Sequence, residues 1–318
     1  MTAYVLRRIL QMILVLVIAT IVVFLLVRFL PGDPILMFLS SADLEEITQE
    51  QVDIIRHDLG LDRNLLVQYF DWLGSAITGD LGNSIIHRQP VIDDITRRIP
   101  ITLHLASLAF IISIIVGIPM GIVAAVRRTS WMDNILTSLG NLGVTVPIFW
   151  LGILLIYAFG LKLDWMPIFG YTSPFDDFWK STHQIMMPVF CLAVAPISSA
   201  VRLTRSSMLE VMRQDYVRTA WAKGLGERSV IITHALKNGI IPVVAFKGLS
   251  LAHIIGGSVL VETVFSIPGM GRLAVEALFS QDYTVIQGVM LVTAIVVLVV
   301  NLLIDLSYGW LDPRIRYG

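Results

Sequence analysis

Cysteine, charge and nucleotide-binding motifs are all scarce in this chain. Its 318 residues include one cysteine, Cys191, which excludes an internal disulfide; its place in an apolar run predicts a buried, inert thiol. Charged residues make up only 15% and the net charge is -1, so the clustered Lys and Arg excess that binding to phosphate backbones requires is missing. That excludes a nucleic-acid role. No G-x-x-x-x-G-K-S/T phosphate loop occurs, and the chain is not expected to hydrolyse ATP itself. The six histidines, His57, His87, His104, His183, His234 and His253, show neither H-E-x-x-H nor clustered ligand spacing, so no metal site is expected. What is abundant is apolar sequence, 56% of residues with a mean hydropathy of +0.78, against roughly 45–50% in soluble domains. The chain reads as a polytopic membrane protein.

Six apolar stretches approach the ~20 residues that a helix needs to cross the hydrocarbon core. They lie near 9–30, 101–126, 135–161, 185–204, 240–261 and 285–308. The predicted fold is all-α, with about six transmembrane helices. The first stretch is longer than the 7–15-residue apolar core of a cleaved signal peptide and is read as a retained span. Basic residues set the orientation. Arg7 and Arg8 precede span one, Arg127 and Arg128 follow span two, Arg205, Arg213, Arg218, Lys223, Arg228 and Lys237 fill the segment after span four, and Arg314 and Arg316 close the chain. The positive-inside rule places all four groups, and both termini, in the cytoplasm.

This gives a three-part organisation: 1–30 as the N-terminus and first span, 31–100 as an external loop domain, and 101–318 as a core carrying a polar insert at 205–238. The external segment is acidic, with Asp43, Glu45, Glu46, Glu50, Asp53, Asp58 and Asp62, and its FDWLGSAI stretch predicts a short amphipathic helix at the membrane surface. It reads as a solvated loop with an interfacial helix, or as a lid or docking surface for an external protein, and the two are compatible.

The insert, DYVRTAWAKGLGERSVIITHALKNGIIPVV at 215–244, is the one long polar interruption between the later spans. Asp215 is suited to cap a helix through Tyr216, Val217, Arg218, Thr219, Ala220, Trp221, Ala222 and Lys223, and Gly224 to the left-handed position that ends it. A second helix is expected from about Glu227 into span five. Small side chains at Thr219, Ala220 and Ala222 permit the close approach of a partner surface, and the flanking basic residues anchor the loop at an anionic leaflet. The simpler reading is a juxtamembrane basic loop with no partner.

At these residues the chain resembles the integral-membrane permeases of ABC importers, specifically the dipeptide, oligopeptide and nickel type. That family carries a Glu-Ala-Ala, three residues, Gly pattern in its cytoplasmic loop, and Arg218, Thr219, Ala220 and Gly224 occupy those positions. Only Ala220 and Gly224 keep the generic identities, and the Arg-Thr-Ala-x-Ala-Lys-Gly form looks like the peptide branch. His234, Ala235, Leu236 and Lys237 stand where the general family has Ile-x-Leu-Pro, again as in that branch. LPGDP at 30–34, LGLD at 59–62, GDLGNSIIHRQPV at 79–91, VETVFSIPGMGRL at 261–273 and DPRIR at 312–316 extend the resemblance over essentially the whole chain.

The resemblance implies a type I ABC importer permease fold and a division of labour. An external solute-binding protein would deliver substrate to a pair formed with a second homologous permease. Two cytoplasmic ATPases would grip the pair through the short helix of each insert. Asp215, Arg218, Thr219, Ala220, Ala222, Lys223 and Gly224 would then form this chain's coupling site. ATP and Mg would be bound by the partner subunits, and no cofactor by this chain. Di- and oligopeptides are the implied cargo; nickel chelates, glutathione-like peptides and oligosaccharides move through similar permeases.

Other features carry narrower expectations. Gly117 and Gly121 form a GxxxG pattern read as helix packing, with Pro119 predicted to kink the same helix. IPGMGRL lacks a third glycine and reads as an external turn rather than a dinucleotide site. Lys247 lies inside span five, where a charge must snorkel, pair or line a pathway; with His253 it is the pathway-lining candidate. Glu262 and Asp305 fall near span ends, where interfacial solvation is expected. His104 is read as a packing histidine or a cavity-lining one. An ion-coupled secondary transporter would show carboxylates or broken helices at the midplane, and an intramembrane protease a Ser/His, paired Asp or H-E-x-x-H arrangement; the sequence displays neither.

Overall fold

The computed structural model describes residues 2–29, His57 and 62–311. The acidic residues 43–58, LPGDP, the first three residues of LGLD, and DPRIR lie outside the described residues. Among the described residues the structure is helical, with one isolated two-residue β-bridge, Asn83 to Pro90. In chain order the helices are α1 (Thr2–Phe29), α2 (Leu65–Ile77), α3 (Val91–Val126), α4 (Trp131–Thr145), α5 (Ile148–Lys162), α6 (Phe178–Val211), α7 (Asp215–Ala222), α8 (Glu227–Gly239), α9 (Ile241–Val264), α10 (Met270–Phe279) and α11 (Tyr283–Leu311). Four are long and apolar enough to span a membrane: Val5–Phe29, Val91–Val126, Phe178–Val211 and Tyr283–Leu306. Counting each of two bent pairs as one span brings the number to six.

The third predicted span is not a single rod. α4 and α5 meet at 105°, and the cause is local: Pro147 has no amide proton to donate, and it pushes Val146 into an extended conformation with ψ 123°. The second bend, of 45°, separates α8 from the start of α9. The helix expected to run from Glu227 straight into span five is instead π-wound over Val230–Leu236. Ser207 Oγ donates to the Gly239 carbonyl at 2.7 Å, and Pro242 leaves the carbonyl four residues back without its helical donor.

The described residues form two compact units, Met1–Ile101 with Pro268–Gly318, and Thr102–Ile267. In the first, α11 packs along α1 and α10 along α11. α2 is the expected amphipathic helix. Its Tyr69 stacks edge-on against Phe24 of α1 and its hydroxyl lies 2.9 Å from Thr20 Oγ1, while Leu66, Phe70 and Ile77 stay exposed. Asp282, 2% exposed, caps α11 through Val285 N and also accepts from Ser84 Oγ at 2.5 Å and the Ile85 and Ile86 amides. One carboxylate thus fixes a turn nearly two hundred residues away. Arg8 and Asp305 pair at 3.1 Å between α1 and α11, so Asp305 is partnered rather than merely solvated.

The second unit is built on glycine contacts. A Cβ at Gly117 would stand 2.6 Å from Ala200 Cβ, and one at Gly121 2.6 Å from Thr204 Cβ, so the GxxxG pattern brings α3 onto α6 at near-backbone distance. Gly143 of α4 does the same against Ser198 of α6, while Gly140 meets Val201 at ordinary contact distance. Cys191 is buried within α6, as expected. Glu262 departs from expectation: it is fully buried, with Thr102 Oγ1 donating to its Oε1 at 2.7 Å. Thr102 is 160 residues distant in sequence, which is why a span-end position suggested solvent instead.

Candidate coupling site

The insert begins where α6 runs out. Met212, Arg213 and Gln214 bond back to Met208, Glu210 and Val211, closing a tight turn that re-aims the chain into α7. Asp215 is the first helical residue rather than the cap; Gln214 occupies the cap position in extended conformation and makes no side-chain cap bond. Asp215 still places a negative charge at the positive end of the helix, and its carbonyl accepts from Thr219 Oγ1 at 2.9 Å. Gly224 ends the helix with φ +75°, the left-handed geometry expected of it, and has no atom within 4 Å of a notional Cβ.

α7 has two faces. Val217 and Ala220 are buried and pack with Val230 of α8 and Val211 of α6. The small side chain at 220 therefore lets α7 sit close to its own chain rather than to a partner. Asn238 Nδ2 donates to Tyr216 Oη at 2.8 Å and ties the same two helices at a second point. Beneath this seat, Met208 and Ala235 pack against Ala125 of α3. The outer face carries Tyr216, Arg218, Thr219, Trp221, Ala222, Lys223 and Gly224, all exposed. Arg218 and Asp215 approach to 3.5 Å but are 72% and 97% exposed, a geometry that contributes little stability. Trp221, 45% exposed, was not singled out from sequence. Its signal was present: a large aromatic held among small and basic residues on a helix too short to bury it elsewhere, a residue type that anchors interfaces.

The two pathway candidates lie on one helix but on different sides of it. Lys247 is 3% exposed, and its Nζ donates to Ser113 Oγ of α3 at 3.0 Å and to the Pro196 carbonyl of α6 at 2.6 Å. Both acceptors are neutral. His253, six residues on, is exposed and lies roughly 120° around the helix. His104 Nδ1 sits 3.0 Å from the Tyr171 hydroxyl and borders an apolar cavity of about 450 Å³ between α3 and α6.

Among the described residues, up to six apolar spans and a polar insert folded into a short helix seated on its own core mark a multi-pass membrane protein. Comparison with known proteins places it further: the chain belongs to the family described as binding-protein-dependent transport system inner membrane component, whose model matches residues 117–317, with the N-terminal companion model matching 1–106. It is a permease subunit of an ABC importer and a multi-pass inner-membrane protein that works with ATPase and substrate-binding components. A putative peptide transport system permease of Brucella abortus is 44% identical over 317 residues, covering 100% of both chains. A dipeptide transport system permease of Alkalihalophilus pseudofirmus is 38% identical over 337 residues, and a glutathione transport system permease of Escherichia coli 38% over 317, each with full coverage. Among solved structures, an inward-facing form of the methionine ABC transporter MetNI aligns with a TM-score of 0.56 at 15% identity, covering 69% of this chain and 96% of that one, which shows a shared fold. The broken α4–α5 helix, a feature expected of secondary transporters, thus occurs here in an ABC permease.

Proposed function

We propose that this chain forms half of the translocation pathway of a di- or oligopeptide importer, paired with a second homologous permease. Two cytoplasmic ATPases grip the pair through the insert of each permease, ATP and Mg are bound in those subunits, and an external solute-binding protein supplies the cargo. This chain itself carries no catalytic site and no cofactor, and both termini lie in the cytoplasm. The observation that carries the coupling role is the outer face of α7, with exposed Trp221, Ala222 and Lys223 on a helix whose inner face is fixed by Val217 and Ala220. A short rigid helix of this kind transmits force where a free loop would absorb it. Peptide cargo is supported by the names of the relatives that match over their whole length. Lys247 and His253 are the pathway residues: His253 by its exposure, Lys247 because its ammonium, held by neutral acceptors among the described residues, is poised to meet a peptide carboxylate when α3, α6 and α9 part.

The test is to introduce Ala222→Arg into the assembled transporter. An exposed substitution of this kind leaves the fold within about 0.5 kcal/mol of its original stability, yet copurification of the ATPase subunits should be lost. Normal copurification and normal peptide uptake would refute the assignment of α7.

A further inference from the structure

Asp133 and Arg205 form an ion pair that none of the preceding roles uses. Asp133 lies in the first turn of α4 and is 3% exposed. Arg205 projects from α6, and its Nε and Nη2 donate to the two carboxylate oxygens at 2.6 and 2.8 Å, a bidentate fork. The same carboxylate accepts from the Thr129 amide at 3.0 Å and from Thr137 Oγ1 at 3.2 Å, while the Asp133 amide donates to Ser130 Oγ at 3.3 Å. Thr129 is held at φ 66° in this arrangement, a conformation a β-branched residue adopts only when its surroundings fix it. Four donor atoms from three residues therefore converge on one carboxylate and bind the turn between α3 and α4 to α6.

The position of the pair gives it a mechanical meaning. Arg205 stands six residues, about 9 Å of helix rise, before the end of α6, and α6 leads through three residues into α7. Force applied to α7 enters α6 at this end. Further along, Gly143 of α4 lies against Ser198 and Val194 of α6 without room for a side chain, and Gly140 packs on Val201 at ordinary contact distance. α4 is thus joined to α6 at its ionic end and along its length, and it stops at the 105° break before Pro147, where no helical hydrogen-bond ladder resists bending.

We infer that Asp133 and Arg205 are positioning residues for energy coupling: the pair makes α4 and α6 a single lever that carries the displacement of α7 to the break at Val146–Pro147. The inference rests on the assignment of α7 as the ATPase contact. The break is then the compliant joint of the unit, and the clamp ensures that movement appears there rather than as slippage between α4 and α6.

The test uses the full transporter, with both permeases, ATPases and binding protein, in proteoliposomes. D133N and R205Q each remove the ionic fork with little change in shape. The expected result is intact assembly and binding-protein-stimulated hydrolysis with at least a tenfold fall in peptide moved per ATP, and a D133N/R205Q double variant no worse than either single one. R205K, which keeps the charge without the planar fork, should fall between. Spin labels at exposed Asn134 and Ser206 provide a readout in the otherwise unaltered chain, since Cys191 is buried. Their separation should stay constant between nucleotide-free and ATP-bound states, and spread in R205Q. An unchanged transport-to-hydrolysis ratio in both single variants overturns the inference, as does a change of more than roughly 2 Å in the unaltered pair, the scale of helix shifts at moving interfaces. Normal ATPase copurification with Ala222→Arg would instead remove the α7 assignment, leaving the label distance to judge the clamp separately.

Discussion

Replacing Lys247 by methionine separates the energetic role of this lysine from its transport role. The residue is 3% exposed and its ammonium donates to two neutral oxygens, Ser113 Oγ and the Pro196 carbonyl. Glu262 is on the same helix but fifteen residues, about 22 Å, further along, too far to neutralise it. Taking such an ion out of water costs several kcal/mol after relaxation, a cost that hydrogen bonds or a close counter-charge must offset. Hydrogen bonds to a charged donor contribute about 1.5–3 kcal/mol each, so the two contacts roughly balance the desolvation without exceeding it. Neither acceptor is stranded by the substitution. Ser113 Oγ already donates to the Phe110 carbonyl at 2.7 Å, and the Pro196 carbonyl lies within the hydrogen-bond ladder of α6. Methionine fills nearly the same volume with a flexible apolar chain. The K247M variant is expected to be as stable as the unaltered chain or more stable, by up to about 1–4 kcal/mol, in thermal unfolding of the detergent-solubilised protein. Uptake should nonetheless fall at least about tenfold, the equivalent of losing one charge-assisted contact with a passing carboxylate. A loss of more than about 2 kcal/mol of stability would refute the energetic reasoning, and undiminished uptake would refute the pathway role.

Three further outcomes follow from the packing. Gly121→Leu places a side chain where a Cβ alone would meet Thr204 Cβ at 2.6 Å and the Val201 carbonyl at 2.8 Å; overpacking of about 1–3 kcal/mol or more should appear as a lowered unfolding temperature. Asp282→Ala strands Ser84 Oγ and the backbone amides now bonded to the carboxylate, with an expected loss of about 3 kcal/mol and faster proteolysis of the 84–90 turn, whereas Asp282→Asn, which still caps α11, should be milder. Ala220→Trp should dislodge α7, Val217 included, from Val230 and Val211, seen as cleavage at the insert by added protease even without ATPases, while Ala222→Arg should leave that resistance intact.

The six apolar stretches, the insert and its Gly224 terminator were legible because each depends on short-range signals: hydropathy over twenty residues, or a glycine after a polar helix. GxxxG at 117–121 was legible for the same reason. What sequence did not show lies in contacts across long separations or in single backbone donors. Pro147 was visible in the third span, but an averaged hydropathy window passes over one missing amide. Glu262 looked solvated because its position along the helix was known and its partner Thr102 was not. Ala220 was read as partner-facing because smallness suits close approach on either side of a helix, and only the burial of Val217 and Val230 beside it shows which side is meant. The Asp133–Arg205 fork joins residues 72 apart and left no local pattern beyond the Ser130-x-x-Asp133 capping signature.

The central claim is that this chain moves peptide only when ATPases act on its insert. Uptake of a labelled dipeptide into proteoliposomes measures it directly, comparing the chain alone with the complete assembly of both permeases, ATPases and binding protein, each with and without ATP. Uptake confined to the complete assembly with ATP, and lost on Ala222→Arg, is the predicted result; ATP-independent uptake by this chain alone would contradict the account.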